Sequence, residues 1–369
     1  MHLADTRRRS GETVTKTISI GRHLLGVDSP TYFIADIAAN HDHDLGRAKE
    51  LIHLCAEAGA NAAKFQNFRA ATIVSDFGFR SLGEQRSHQA AWQKSVFEVY
   101  REAELPIEWV QQLKETCEKA GIDYFTAPYD LDMLPYLSEH VCAWKVGSGD
   151  VTWHASIEAM AKDGKPILIA TGAATMAEVR LAMDVAARWT DDIVLMQCNT
   201  NYTASLDNFR HISLNVIKAY AREFPGVVLG LSDHTPGHAT VLGAVALGAR
   251  AIEKHFTDDK TRPGPDHRFS MDPATWRDMV DRTRELELAL GSEDKHIMEN
   301  ELDTVVLQRR GIRARRTLAE GTKIAASDLI SLRPCPADAL PPYRIGELLG
   351  RTTRRAIAEG DCVRASDVR

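Results

Sequence analysis

Val227-Val-Leu-Gly-Leu-Ser-Asp-His-Thr-Pro236 and Ala251-Ile-Glu-Lys-His-Phe-Thr257 are two short apolar runs, each ending in a histidine. The stretch between them, 238–247, is rich in small residues and reads as a helix. His234 and His255 therefore stand 21 residues apart, one strand-helix-strand step. Repeated, such a step builds a parallel sheet, because parallel strands need a long crossover and a helix supplies it. A neutral imidazole at the end of a buried strand offers one directed lone pair. Two of them on neighbouring strands can hold one divalent cation. Taken alone, the spacing fits a pair of satisfied core histidines equally well.

The same alternation extends back along the chain. Strands are predicted over 32–35, 62–65, 123–125, 143–146, 166–170, 193–196, 227–231 and 251–255. Helices are predicted from Asp44 to Gly59, from Pro106 to Gly121, and over 133–139, 156–162, 176–189, 211–223, 238–247 and 273–290. Eight strand-helix units over residues 31–290 predict an α/β fold, a closed (β/α)8 TIM barrel. An open doubly wound sheet is the alternative, but no Gly-x-Gly-x-x-Gly turn follows the first strand. The stretch 67–105 is too long for an ordinary connection, and such insertions tend to be lids or binding loops.

Residues 1–30 read as a tail or short hairpin, and the charge-rich stretch 291–306 as a linker. Beyond it a repeat appears. Arg315-Arg-Thr-Leu-Ala-Glu-Gly recurs 39 residues later as Arg354-Arg-Ala-Ile-Ala-Glu-Gly, and each copy ends in Ala-Ser-Asp. Residues 307–369 are thus predicted to form a small β-rich domain with internal pseudo-twofold symmetry.

Bulk composition narrows the function. The chain is 44% hydrophobic and 26% charged, ordinary for a globular protein. A net charge of −6 argues against a general nucleic-acid binder. No apolar run approaches the roughly 20 residues a membrane span needs. Arg7-Arg-Arg9 is not followed by an apolar segment, so no secretion signal is expected. Six cysteines without a Cys-x-x-Cys pair suit reduced thiols in a cytoplasmic protein.

In a (β/α)8 barrel the chemistry lies at the C-terminal ends of the strands. Here those ends carry Asp36, Lys64 and Gln66, Thr126, Lys145 and Ser148, Thr171, Gln197 and Asn199, Ser232 and His234, and Glu253 and His255. Side chains alternate along a strand, so Lys64 shares a face with Gln66, and Glu253 with His255. A buried lysine needs an anionic partner. Lys64 and Lys145 therefore suggest a ligand carrying phosphate and carboxylate; the alternative is pairing with Asp36 or Glu253. Gly147-Ser-Gly-Asp150 could present backbone N–H groups to an anion. Arg262-Pro-Gly-Pro-Asp266 reads as a rigid loop holding Arg262 and Asp266 over the barrel mouth.

These motifs resemble the N-acetylneuraminate (sialic acid) synthase family over nearly the whole chain. The matching pieces are Asn40-His41, Lys64-Phe-Gln66, Lys145-Val-Gly-Ser-Gly149, Ala170-Thr-Gly172, Gly230-Leu-Ser-Asp-His-Thr235, His255-Phe-Thr-Asp258 and Arg262-Pro-Gly-Pro-Asp266. The last domain, with Leu332-Arg-Pro334, resembles the family's antifreeze-like (SAF) domain. The resemblance implies an enzyme that joins phosphoenolpyruvate to an amino-sugar aldehyde, releasing phosphate and making a sialic-acid-like keto acid. It implies Mn2+ or Mg2+ on His234 and His255. Lys64, Lys145, Ser148 and Ser232 match phosphoenolpyruvate-binding positions, with Thr126, Thr171, Asn199 or Thr200, and Glu253 beside them. Gln66, Tyr202 and Asp266 match sugar-binding positions. Arg333 would come from a second subunit whose SAF domain caps the partner's barrel in a homodimer.

The sequence departs from the family pattern at Asp36 and Asp150, where glutamate is usual. Each departure withdraws a carboxylate by one methylene, which matters for a group that must reach a proton. Ala127 and Ala170 replace hydroxyl residues, and Gln197-Cys-Asn-Thr-Asn-Tyr202 replaces a His-Cys-Thr pattern. A variant phosphoenolpyruvate- or pyruvate-dependent aldolase with another acceptor, and a non-catalytic sugar-binding barrel, are the alternatives.

Overall fold

The apolar runs close into a barrel. The computed structural model describes residues 16–83, 89–90 and 92–369; Arg7-Arg-Arg9 and the rest of the first 15 residues lie outside it. A hairpin of β1 (Ile18–Ile20) and β2 (His23–Leu25) comes first. The barrel strands follow: β3 (Tyr32–Asp36), β4 (Ala62–Asn67), β5 (Asp123–Pro128), β6 (Trp144–Val146), β7 (Ile167–Ala170), β8 (Ile193–Cys198), β9 (Val228–Asp233) and β10 (Ala251–His255). All are parallel, and β10 closes the ring against β3. This is the (β/α)8 barrel that the alternation predicts.

After β3 comes α1 (Leu45–Glu57), then α2 (Ala70–Ile73), α3 (Asp76–Ser81) and α4 (Val96–Ala103) in the long insertion, then α5 (Val110–Ala120). The remaining strands are followed in turn by α6 (Leu134–Ser138), α7 (His154–Lys162), α8 (Met176–Ala186), α9 (Val216–Glu223), α10 (Ala239–Ala246) and α11 (Pro273–Leu290). Local chemistry sets the boundaries. The Asp44 carboxylate accepts the Arg47 N–H to start α1, and Thr175 with Glu178 caps α8 reciprocally. Gly121 stops α5 with a left-handed φ of 78°. The helix expected over 211–223 is interrupted. Ser213 adopts φ of 52°, which an α-helix cannot contain, so a 3-10 turn over Leu206–His211 precedes α9.

The hairpin seals the N-terminal end of the barrel. Ile18, Ile20 and Leu25 join the main core, and Asp123 at the start of β5 accepts hydrogen bonds from Tyr32 Oη and pairs with His23 Nδ1, both at 2.8 Å. Gly21 makes the approach possible, since a Cβ there would lie 2.2 Å from the Asp123 carboxylate. The opposite end, where the strands finish, is the end at which (β/α)8 barrels carry their chemistry.

The chain divides into two compact units, residues 1–291 and 292–369. The second contains α12 (Leu302–Gln308) and an antiparallel pair, β11 (Gly311–Ala314) and β12 (Leu329–Leu332). Its core is built on Ile312, Leu318, Ile324, Leu348, Ile357 and Val363. The sequence repeat is expressed in space. Leu318 and Ile357, equivalent residues of the two copies, exchange backbone hydrogen bonds of 2.8 Å, as residues beside a twofold axis do. Arg316 pairs with Asp328 in one copy as Arg355 pairs with Asp367 in the other, at 2.8 and 2.7 Å. Gly321 and Gly360 turn the chain at φ of 82° and 81°. The six cysteines are all free thiols. No described helix is long and apolar enough to cross a membrane.

Candidate active site

The strands end in a cavity of about 370 Å³. The β-strands set its floor by alternation. Asp36 lies beside Lys64 in one register and beside His255 in the other, so the closing pair β10–β3 brings residues from both ends of the barrel together. Lys64 Nζ donates to Asp36 Oδ2 at 2.7 Å, and Gln66 Nε2 donates to the same oxygen at 3.2 Å. Lys145 Nζ stands 3.6 Å from Glu253 Oε1, which also accepts the Ser232 hydroxyl at 3.1 Å.

Both lysines thus have carboxylate neighbours within the protein, as in the alternative reading of the sequence. Asp36 and Glu253 supply them, because barrel closure sets β10 and β4 on either side of β3. The match is uneven. Lys64 is 3.9 Å from Glu253 Oε2, and that oxygen has no hydrogen bond among the described residues. Burial lowers the Lys145 pKa, with Glu253 opposing; for Lys64, burial is outweighed by Asp36 and Glu253, and the pKa is raised.

Two imidazoles stand above these charges, ring centroids 5.4 Å apart. His234 Nδ1 faces the Asn199 carbonyl at 3.0 Å, an arrangement that leaves Nε2 to act as a ligand. His255 Nε2 lies 3.5 Å from Asp36 Oδ2, and its buried Nδ1 has no hydrogen-bond partner among the described residues. Burial, with His234 and Lys64 nearby, holds His255 well below the usual imidazole pKa, so it is neutral and able to donate a lone pair. Among the described residues, no group of three or more His, Cys, Asp or Glu side chains is gathered to hold an ion. A cation here would take two nitrogen ligands from the protein and its other ligands from elsewhere.

The wall carries Ser148, Asp150, Thr200, Tyr202 and Asp266. Ser148 and Asp150 sit in a 3-10 turn after β6, and Ser148 Oγ accepts the Gly172 N–H at 3.0 Å. Gly172 has to be glycine, because a Cβ there would be 1.9 Å from Thr200 Oγ1. Burial raises Asp150 to about 6, with Lys145 opposing. Burial likewise raises Asp266 to about 6, although it accepts the Ala39 N–H at 3.1 Å. Arg262 does not enter this cavity; it pairs with Asp42 at 2.7 Å. Asp42 also holds buried His267 at 2.8 Å, tying the 262–268 loop to the loop after β3.

Three residues expected at the ligand, Thr126, Thr171 and Asn199, do not line the cavity. The Thr126 hydroxyl is spent within the sheet on Phe65 O and Asn67 Oδ1, and Thr171 on Met196 O and Tyr220 Oη. Asn199 donates to His211 O and supports His234 through its carbonyl. Arg333 is exposed on the second unit, before a cis Pro334. The sequence reading did not single out Tyr129 or the insertion residues Phe68, Tyr100 and Val99, which also line the cavity. The signal for Tyr129 was its place directly after β5. Lys254 was also passed over. It faces outward and is fully buried, donating to Asp233 Oδ2 and to the Thr235 carbonyl behind the two histidine strands.

Comparison with known proteins bears on what the arrangement does. The NeuB family model matches residues 51–295, and the SAF domain model matches residues 309–369. The chain is 35% identical to N,N'-diacetyllegionaminic acid synthase of Legionella pneumophila, over 91% of this chain and 94% of that one. It is 30% identical to the human N-acetylneuraminate-9-phosphate synthase, over 92% of this chain and 93% of that one. A crystal structure of the N-acetylneuraminic acid synthetase from Leptospira borgpetersenii, in complex with citrate, superposes with a TM-score of 0.68 at 27% identity. It covers 79% of this chain and 95% of that one.

Proposed function

The chain belongs to the NeuB family, and from that membership we propose that it condenses phosphoenolpyruvate with an amino-sugar aldehyde to give a nonulosonic acid and inorganic phosphate. The observation that carries the reading is the pair of buried ammonium groups, Lys64 and Lys145, in one cavity with Ser148, Ser232 and two imidazoles. Phosphoenolpyruvate presents a phosphate and a carboxylate. Two cations, one paired with Asp36 at 2.7 Å and the other 3.6 Å from Glu253, suit both groups, and the serine hydroxyls add neutral donors.

His234 and His255 would hold Mn2+ or Mg2+, and that ion when bound supplies Lewis-acid polarisation of the aldehyde. The unpartnered Nδ1 of His255 and the Nδ1 of His234 turned to the Asn199 carbonyl fit a two-imidazole site. Lys64 and Lys145 orient phosphoenolpyruvate so that its carbon 3 attacks the aldehyde carbon, and the aldehyde oxygen takes up a proton. Water then adds at carbon 2 and loses a proton, and the carbon–oxygen bond to phosphate breaks. Asp150, near 6, is poised to hold or release a proton at neutral pH. Asp36 reaches Lys64, Gln66 and the edge of His255 despite its short side chain. Gln66, Tyr202 and Asp266 hold the sugar. Arg333 completes the site from the SAF domain of a second subunit in a homodimer.

The experiment is phosphate and keto-acid release from phosphoenolpyruvate with Mn2+, across N-acetylmannosamine, its 6-phosphate, mannose and 2,4-diacetamido-trideoxyhexoses. Equal release of phosphate and keto acid with one acceptor is expected. Condensation from pyruvate with no phosphate released would replace the reading with an aldolase.

A further inference from the structure

Tyr129 lines the same cavity as Asp150. It follows β5 directly, and its N–H donates to the Asn67 carbonyl at 2.9 Å, which fixes where the side chain starts. The ring meets Phe68 edge to face, with centroids 6.3 Å apart. Its hydroxyl lies over Gly147. A Cβ at that residue would stand 2.5 Å from Tyr129 Oη, so glycine there clears the space that the phenol fills. Gly147 also opens the 3-10 turn Ser148–Asp150, and the Asp150 N–H closes that turn on the Gly147 carbonyl at 2.9 Å. The phenol is thus set against the turn that carries Asp150.

Neither side chain is spent on the protein. Burial first, then the charges of Asp150, Tyr202, Asp36 and Glu253, hold Tyr129 well above the usual phenol pKa, so it is a neutral O–H. Burial and Lys145 are what act on Asp150. Among the described residues, no hydrogen bond contributes to either shift. A neutral phenol accepts one hydrogen bond while it donates another, whereas a carboxylate only accepts. A phenol placed between a water and a carboxylate therefore completes a chain for a proton. It also supplies the reach that the short Asp150 side chain lacks.

We infer that Tyr129 is a further catalytic residue, the relay through which the water that adds at carbon 2 gives up its proton to Asp150. The inference rests on the proposed condensation and assigns one of its steps. Attack by carbon 3 on the aldehyde leaves carbon 2 short of electrons. A lone pair of the water oxygen forms the bond to carbon 2, and the water releases one proton to Tyr129 Oη. The phenol's own proton passes to an Asp150 oxygen in the same movement. Tyr129 is neutral before and after, and Asp150 goes from carboxylate to acid. The carbon–oxygen bond to phosphate then breaks, its electron pair leaving with phosphate. A carboxyl group near 6 can take a proton at neutral pH and return it to bulk water after product leaves.

The test is a two-residue cycle on the full chain, read as phosphate release with phosphoenolpyruvate, Mn2+ and the acceptor that the panel identifies. Tyr129→Phe keeps the ring against Phe68 and removes only the hydroxyl. It is expected to lower kcat by on the order of 100-fold, while phosphoenolpyruvate affinity by calorimetry changes less than about threefold. Asp150→Glu alone is expected to gain nothing, because the longer carboxylate crowds the phenol. In the Tyr129→Phe background the same change extends into the vacated space, and roughly tenfold of the lost kcat should return. Additive losses with no return overturn the relay, since a ring that only packs gives no reason to prefer a longer acid. An unchanged kcat in Tyr129→Phe overturns it as well. A loss of phosphoenolpyruvate affinity as large as the loss of turnover would make the hydroxyl an anion ligand and overturn the relay, leaving the condensation standing. Absence of phosphate release from the parent with every acceptor defeats the condensation itself, and the relay with it.

Discussion

Glu253 and Lys254 are neighbours on β10 and face opposite ways. Outside the barrel, Lys254 donates to Asp233 and to the Thr235 carbonyl, and Asp233 also accepts the hydroxyls of Thr235 at 2.8 Å and Thr240 at 2.7 Å. Lys254 and Asp233 side chains are 1% and 0% exposed, and both are hydrogen-bonded. Inside, Lys64 donates to Asp36 at 2.7 Å, but the groups around Glu253 stand apart. Lys145 and Lys64 lie 3.6 and 3.9 Å from Glu253, beyond hydrogen-bond range, and Glu253 Oε2 accepts no hydrogen bond from the described residues. A buried ion pair that only holds structure needs its desolvation offset atom by atom. A cluster that binds a charged ligand keeps lone pairs and protons for it, at a cost to stability.

The two clusters should therefore respond oppositely to losing a lysine. Lys254→Met leaves Asp233 charged and buried without its cation, which costs about 3–5 kcal/mol. Denaturant unfolding should show that loss, and a midpoint shift too small for it would mean that the outer pair is not what holds β9 to β10. Lys145→Met removes a cation that burial already disfavours. We expect it to cost less than half as much stability, while phosphoenolpyruvate binding weakens by roughly 30-fold or more, the effect of deleting one buried charged partner. Calorimetry on the folded variant checks this, and unchanged affinity would remove Lys145 from the substrate site.

This contrast also marks what the sequence could show. The eight strands were legible because parallel strands buried on both faces read as continuous apolar runs. The polar strand ends were legible because they break those runs. Partnership was not. Lys64 is paired with Asp36, 28 residues away, and lies 3.9 Å from Glu253, close to 190 positions further on. That proximity exists only because β10 closes on β3. Period-two alternation was read to place Glu253 with His255, but the same rule sends Lys254 outward, and its partner Asp233 is the residue beside His234. Thr126 and Thr171 were expected near the ligand from their places at strand ends. Each instead turns its hydroxyl to a neighbouring carbonyl within the sheet, a choice of face that one residue of register decides. The aromatic wall of the insertion was hidden for another reason: short helices in a long polar stretch carry no repeating pattern.

The acids of the two regions should separate by pH. Burial raises Asp266 to about 6. Its native form thus holds a proton more tightly than the unfolded chain does, so its contribution to stability is full below the ordinary carboxyl pKa and is lost as pH rises through 6. Asp233 behaves in reverse. Burial alone would raise it, but Lys254 and the threonine hydroxyls outweigh that and lower it, so its contribution is present above the ordinary value and disappears on acidification. Asp266→Asn should accordingly be more stable than the parent near pH 8, with the advantage shrinking to nothing near pH 4. An advantage that does not vary with pH would show that Asp266 is not strained by its site.

Thr240→Val tests the finest part of the contrast. Valine keeps the shape of threonine and removes one hydroxyl, leaving Asp233 with Thr235 and Lys254 as partners. A single hydrogen bond to a buried group contributes about 1 kcal/mol, or somewhat more when the acceptor is charged. The variant should therefore lose about that much and keep its ligand affinity, since Thr240 belongs to α10 and does not line the cavity. Its loss should also fade in acid, because a protonated Asp233 no longer draws on the hydroxyl as strongly. If Thr240→Val weakens phosphoenolpyruvate binding as much as Lys145→Met does, the outer network sets the position of His234 through Thr235, and the division between a structural cluster and a binding cluster does not hold.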